Sequence, residues 1–120
     1  MKNTDQPKID NEIRSKVITF MESFTVNIGK TLNFSEAIST NKKNFDRHFT
    51  TYSSTEFKLT HFSARISGAR IMFIGEKLNY EISIDRIINI EQNNFEILFI
   101  EAYSDEVFRE TNLKIINESN

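Results

Sequence analysis

The chain has 120 residues, which suits one domain that buries roughly two-thirds of the surface its unfolded form exposes. Hydrophobic residues make up 38% and charged residues 27%, which argues against wholesale disorder, and 11 Phe without a Trp predict a core of benzyl rings and isoleucine. There is no Cys, so disulfides, thiolate metal sites, cysteine nucleophiles and iron–sulfur chemistry are excluded, and the composition fits a reducing compartment.

The net charge of −2 is unevenly spread. Residues 1–75 carry 11 Lys and Arg against 7 Asp and Glu, whereas residues 76–120 carry 4 against 10. An acidic last part predicts either a solvated sheet face or a patch that meets a basic partner. Residues 1–19 place Asp5, Asp10 and Glu12 among their lysines and show no signal-peptide run, and no stretch approaches the roughly 20 apolar residues of a spanning helix. The expectation is a soluble cytoplasmic domain that is not an integral membrane protein.

Within residues 7–24, Ile9, Ile13, Val17, Phe20, Met21 and Phe24 recur at steps of three and four, the spacing of a helix with one apolar face. Pro7 suits its first turn, and Gly29 suits its end. That face (Ile9 to Phe24) packs on the domain's own sheet or pairs two copies of the chain as a homodimer. Ser35 is placed to cap a second helix that runs to Arg47, so residues 1–50 are expected to be mainly helical. Lys42, Lys43 and Arg47 concentrate positive charge there, while Glu36 and Asp46 dilute it. With no stacking platform of exposed aromatics, nucleic acid is not an expected partner.

From residue 51 to residue 103 the period becomes two, the signature of an antiparallel sheet. One strand is expected over residues 57–66, broken at Ser67 and Gly68, and a second over residues 70–74, broken at Gly75. Then Tyr80, Ile82 and Ile84 alternate with Glu81, Ser83 and Asp85. The extended pattern continues through Ile87, Ile88 and Ile90 to an Asn93–Asn94 turn and a returning strand over residues 95–102. Residues 104–118 fit a helix capped by Ser104, with Phe108, Asn112, Ile115 and Ile116 inward. They also fit a strand carrying Val107, Thr111, Leu113 and Ile115, and the helix is the preferred expectation.

The run that opens with Arg70, Ile71, Met72 and Phe73, alternates at Tyr80, Ile82 and Ile84, steps through Asp85-x-Ile87-x-x-Ile90 and returns over residues 95–100 resembles bacterial pleckstrin-homology-like domains of the GRAM type. The resemblance covers about a quarter of the chain and implies a curved antiparallel sheet plugged by a C-terminal helix, with lipid or protein partners. Before the Arg such domains usually read Leu-x-Ile-Thr-x-x-Arg, and Ala64 to Arg70 match that only loosely. The fold class expected is therefore α+β, N-terminal helices followed by a curved antiparallel sheet. The alternative is a ketosteroid-isomerase-like cone, in which residues 68–79 form a third helix.

No catalytic set emerges. His48 and His61 lie in no zinc-binding spacing, and His61 is expected to be a hydrogen-bonded, partly buried strand residue. Three glycines build no phosphate-cradling loop, and no Gly-x-Ser-x-Gly surrounds a serine. In a cone, Asp46 or Glu101 would be the candidate base, and Glu101 shares a strand face with Phe95, Ile97, Phe99 and Tyr103, although an edge position reached by water accounts for it more simply. No cofactor or metal is expected. The function expected is a small non-catalytic binding module for protein or lipid. The alternative is an immunity or inhibitor protein that covers a basic enzyme, such as a nuclease toxin. Its partner-binding acids are Glu81, Asp85, Glu91, Glu96, Asp105 and Glu106; Lys42, Lys43, Arg47, Arg65, Arg70 and Lys77 are the candidates for anion contact.

Overall fold

A computed structural model describes residues 11–40, 50–64, 70–93 and 95–116. One helix, α1 (Asn11–Ser23), runs into a 3-10 turn (Phe24–Asn27). Eight strands follow: β1 (Thr31–Ser39), β2 (Thr50–Lys58), β3 (His61–Ala64), β4 (Arg70–Ile74), β5 (Asn79–Ser83), β6 (Ile87–Gln92), β7 (Glu96–Ala102) and β8 (Phe108–Ile116). They form a five-stranded sheet in the order β2-β1-β8-β7-β6 and a three-stranded sheet in the order β3-β4-β5, with every pairing antiparallel.

Strands adjacent in sequence pair with each other except at two steps, where the chain crosses from one sheet to the other. At the first, Leu59 is buried and pinned from both sides: its N–H donates to the Lys30 carbonyl at 2.9 Å, and its carbonyl accepts from Gly29 at 2.8 Å. Gly29 has φ +97°, a left-handed conformation that a side chain disfavours, so glycine lets the chain turn there into β1. At the second crossing, residues Ile84–Arg86 make one 3-10 turn with Ile84 buried. The circuit closes where β1 lies antiparallel to β8 over nine residue pairs, from Thr31 opposite Ile116 to Ser39 opposite Phe108.

The core lies between the sheets and under α1. The Phe34 ring of β1 stacks on Tyr80 of β5 at 4.3 Å and meets Phe73 of β4 edge-on at 5.1 Å. From α1, the fully buried Phe20 reaches both sheets, with its ring 5.2 Å from Phe99 of β7 and 5.9 Å from Phe62 of β3. Such pairs add about 0.5–1.5 kcal/mol each beyond simple burial.

Several expectations need correction. The second helix, expected from Ser35 to Arg47, is contradicted at its start, because Ser35 lies inside β1; residues 41–49 are outside the described residues. Within the described part of residues 1–50, the helix and its 3-10 turn end at Asn27 and β1 takes up Thr31–Ser39. The C-terminal helix is a strand, β8, so the helix packed on the core is N-terminal. Arg70–Ile74 is a strand, which removes the third helix of the cone. The strand expected over residues 57–66 is divided between the ends of β2 and β3, and His61 is exposed. Val17, Phe20 and Phe24 bury the middle of the helix's apolar face in the chain's own core, with Ile13 and Met21 packed against it, while Ile9 lies outside the described residues. What stands is a mostly β, α+β-like architecture: one helix with antiparallel sheets. No helix among the described residues is long and apolar enough to cross a membrane.

Candidate binding surfaces

Glu101 sits on β7, second from the edge of the five-stranded sheet, with its side chain pointing inward, and it is 0% exposed; the expectation of a solvated edge acid fails. Opposite it in register on β8 is Arg109, also inward. The Arg109 Nε and Nη2 donate to Glu101 Oε1 at 2.8 and 2.7 Å, Nη1 donates to Glu36 Oε2 of β1 at 3.0 Å, and Nη2 donates to the Glu81 carbonyl of β5. The second oxygen of Glu101 accepts from the Ser83 N–H at 2.8 Å and from the Tyr103 hydroxyl at 2.9 Å. Ser53 of β2 donates to the other oxygen of Glu36 at 3.0 Å.

One guanidinium therefore ties β1, β7 and β8 of one sheet to β5 of the other. Its carbon lies 5.0 Å from the Tyr80 ring centre, a cation–π distance. Burial pulls the Arg109 pKa down, but the Glu101 carboxylate and Tyr80 outweigh it and hold it above its ordinary value. Burial pushes the Tyr80 phenol up to about 12, against the opposing hydrogen bond to Thr111. Burial and the Glu101 charge push Tyr103 up to about 12. A buried acid becomes a proton acceptor only when its lone pairs are free. Those of Glu101 are occupied, so the cluster is built as a clasp.

The outward side of the five-stranded sheet has a different character. Even-numbered residues of β7, β8, β1 and β2 do not share it uniformly, because register sets the rows. Ile100 lies between Asn89 and Glu110, followed by Ala37 and Tyr52. The next row runs Glu91, Leu98, Asn112, Ser35, Ser54, and the last Glu96, Lys114, Asn33, Glu56. Half-buried Leu98 and Ile100 and the 58%-exposed Tyr52 thus sit among four glutamates, with Lys114 the one cation in these rows, 3.6 Å from Glu96. Burial and the neighbouring Glu91 charge raise the Glu110 pKa. Asn112 Oδ1 is buried there without a hydrogen-bond partner.

The six acids expected to meet a partner do not form one patch. Glu91 and Glu96 share the outer sheet face, Asp105 and Glu106 sit exposed at the β7–β8 turn, and Asp85 lies on the 3-10 turn before β6. Glu81 is on β5, within 3.5 Å of Arg70. Glu56 and Glu110 join the outer face although the sequence reading passed over them; the alternation of β2 and β8 was the signal that carried them. Of the anion candidates, Arg70 is paired and Lys77 lies in the β4–β5 turn, while Lys42, Lys43, Arg47 and Arg65 fall outside the described residues, as do His48 and Asp46. Among the described residues no group of three or more His, Cys, Asp or Glu is placed to hold a metal ion. The chain matches no protein-family model, no curated protein and no solved structure.

Proposed function

We propose that this chain is a small non-catalytic binding module whose outer five-stranded sheet face docks a basic protein. The observation that carries the reading is the placement of Glu56, Glu91, Glu96 and Glu110 around Leu98, Ile100 and Tyr52 on one continuous face. Glu110 and Asn112 lie on the central strand between Leu98 and Ile100 on one side and Tyr52 on the other, so apolar and acidic groups alternate across the face, and its negative sign steers a positive partner. The commitment of Glu101 to Arg109, Tyr103 and Ser83 supports a binding role over an acid–base one. An inhibitor that covers a basic enzyme such as a nuclease toxin is one form of this reading.

The pleckstrin-homology-like resemblance would call for a helix after the sheet, where this chain has β8, so it lends this reading only its antiparallel strands. Its lipid branch has less support, because Arg70 is paired with Glu81.

The test is affinity capture from the source cells with the parent chain, with Glu91→Lys/Glu110→Lys, and with Asp105→Lys/Glu106→Lys. The expected result is a basic protein retained at low salt, released as salt rises, and lost only with the sheet-face variant. Equal capture by all three chains, or a partner that is not basic, overturns the reading.

A further inference from the structure

The corner where β2 passes into β3 lies against the turn between β4 and β5 and leaves an open concavity of about 750 Å³. Its walls include Phe57, Lys58, Thr60, His61, Lys77 and Leu78. The turn that forms one side is fixed by the backbone: Gly75 N–H donates to the Leu78 carbonyl at 2.7 Å, and Thr60 N–H donates to the Ile74 carbonyl at 2.8 Å. A Cβ at Gly75 would come within 2.7 Å of Phe57 Cδ1, so the glycine is what lets the ring lie against this turn.

Two features point to a ligand. Lys58 and Lys77 are ion-paired with no other described residue, and with Glu76 at the same site they leave one net positive charge. Beside them the Phe57 ring and the 48%-exposed Leu78 offer apolar surface. The Thr60 hydroxyl is already engaged, donating to the Ile74 carbonyl at 3.0 Å and lying 3.2 Å from His61 Nδ1. The two ammonium groups are the donors.

We propose that this concavity binds a small amphipathic monoanion, a carboxylate on an apolar chain or ring. The carboxylate sits between Lys58 and Lys77, and the apolar body lies along Phe57 and Leu78. The volume falls in the range of small-molecule sites, roughly 300–1,000 Å³. A single negative head matches the single net charge of the walls, and a bare inorganic anion would leave the apolar part unused. The site is separate from the outer sheet face, and its test does not depend on that face.

The experiment is an NMR titration of the isotope-labelled full chain with octanoate, with 1-octanol as the uncharged counterpart. Octanoate is expected to shift the amides of Thr60, His61, Gly75 and Lys77 saturably, and octanol to bind about tenfold more weakly or worse. Lys58→Gln/Lys77→Gln is expected to lower octanoate affinity about tenfold while leaving octanol binding and the folded spectrum unchanged; Lys77→Glu alone should act the same way. Arg14→Gln on α1, which changes net charge elsewhere, should bind octanoate as the parent does. The proposal is overturned if octanoate does not bind, if octanol binds equally well, if the lysine variants bind octanoate as the parent does, or if the shifts map away from this corner.

Discussion

Replacing Arg109 with Met keeps an unbranched apolar stem and removes the guanidinium and its charge, which tests whether the buried clasp holds the sheets together. The substitution withdraws both N–H donors from Glu101 Oε1, the donor to Glu36 and the donor to the Glu81 carbonyl. Glu101, with no exposed surface, keeps only the Ser83 amide and the Tyr103 hydroxyl. Stranding one member of a buried ion pair costs about 3–5 kcal/mol, against about 0–1 kcal/mol for an exposed pair. Set against a total stability of about 5–15 kcal/mol, that is a loss of about a fifth or more, and a folded-to-unfolded ratio lowered about a thousandfold. Urea unfolding followed by far-UV circular dichroism and tyrosine fluorescence reads it directly, as a fall in midpoint at unchanged slope. Adding Glu101→Gln removes the stranded charge while the amide still accepts from Ser83, so the double variant should recover at least about 1.5 kcal/mol of the deficit. A loss under about 1 kcal/mol for Arg109→Met, or a double variant no better than the single one, would refute the clasp.

The raised phenols give an alkaline signature: Tyr80 and Tyr103, pushed up to about 12, contribute stability that is intact below the unfolded value near 10 and lost as pH rises through 12. Ultraviolet titration should therefore show two of the three tyrosines ionising late and together with loss of the fold, whereas ordinary titration of all three near pH 10 would contradict it. Phe20→Ala empties the junction of helix and sheets and should cost about 3–5 kcal/mol in the same urea assay. Glu110→Gln should stabilise the protein at neutral pH by less than about 1 kcal/mol, given its partial exposure. Because its folded pKa is raised, the gain should disappear as acid protonates the parent carboxyl in both states; a variant less stable than the parent at neutral pH counts against the stated cause.

Much of the architecture was legible in the sequence where apolar period and burial coincide. Ile13, Val17, Phe20 and Phe24 announced α1, and Tyr80, Ile82 and Ile84 announced β5, because each buries one uniform stripe. β1 and β8 were hidden by the clasp itself. Glu36, Arg109 and Thr111 occupy inward positions that an apolar alternation would fill, so the period of two is broken by polar residues whose partners lie far away in sequence. In β8 this left Phe108, Asn112, Ile115 and Ile116 fitting a helix as well as a strand. Glu101 stood out by its apolar neighbours, but the residue that neutralises it became visible only with the β7–β8 register. The outer face was half legible: Glu91 and Glu96 came from charge counting, whereas Glu56 and Glu110 lay on β2 and β8, whose alternation was the available signal and was not read as strand.

The pairing of β1 with β8 sets the order in which the molecule can assemble. These neighbours are about 70 or more residues apart in the chain, so the middle of the larger sheet forms only after a long loop has closed, the kind of contact that slows folding. Until the ribosome releases the last strand, β1 has only β2 beside it, and its other edge offers unpaired amides and carbonyls to any extended segment nearby. A nascent chain of this design is most exposed to mispairing in the interval just before its synthesis reaches Ile116.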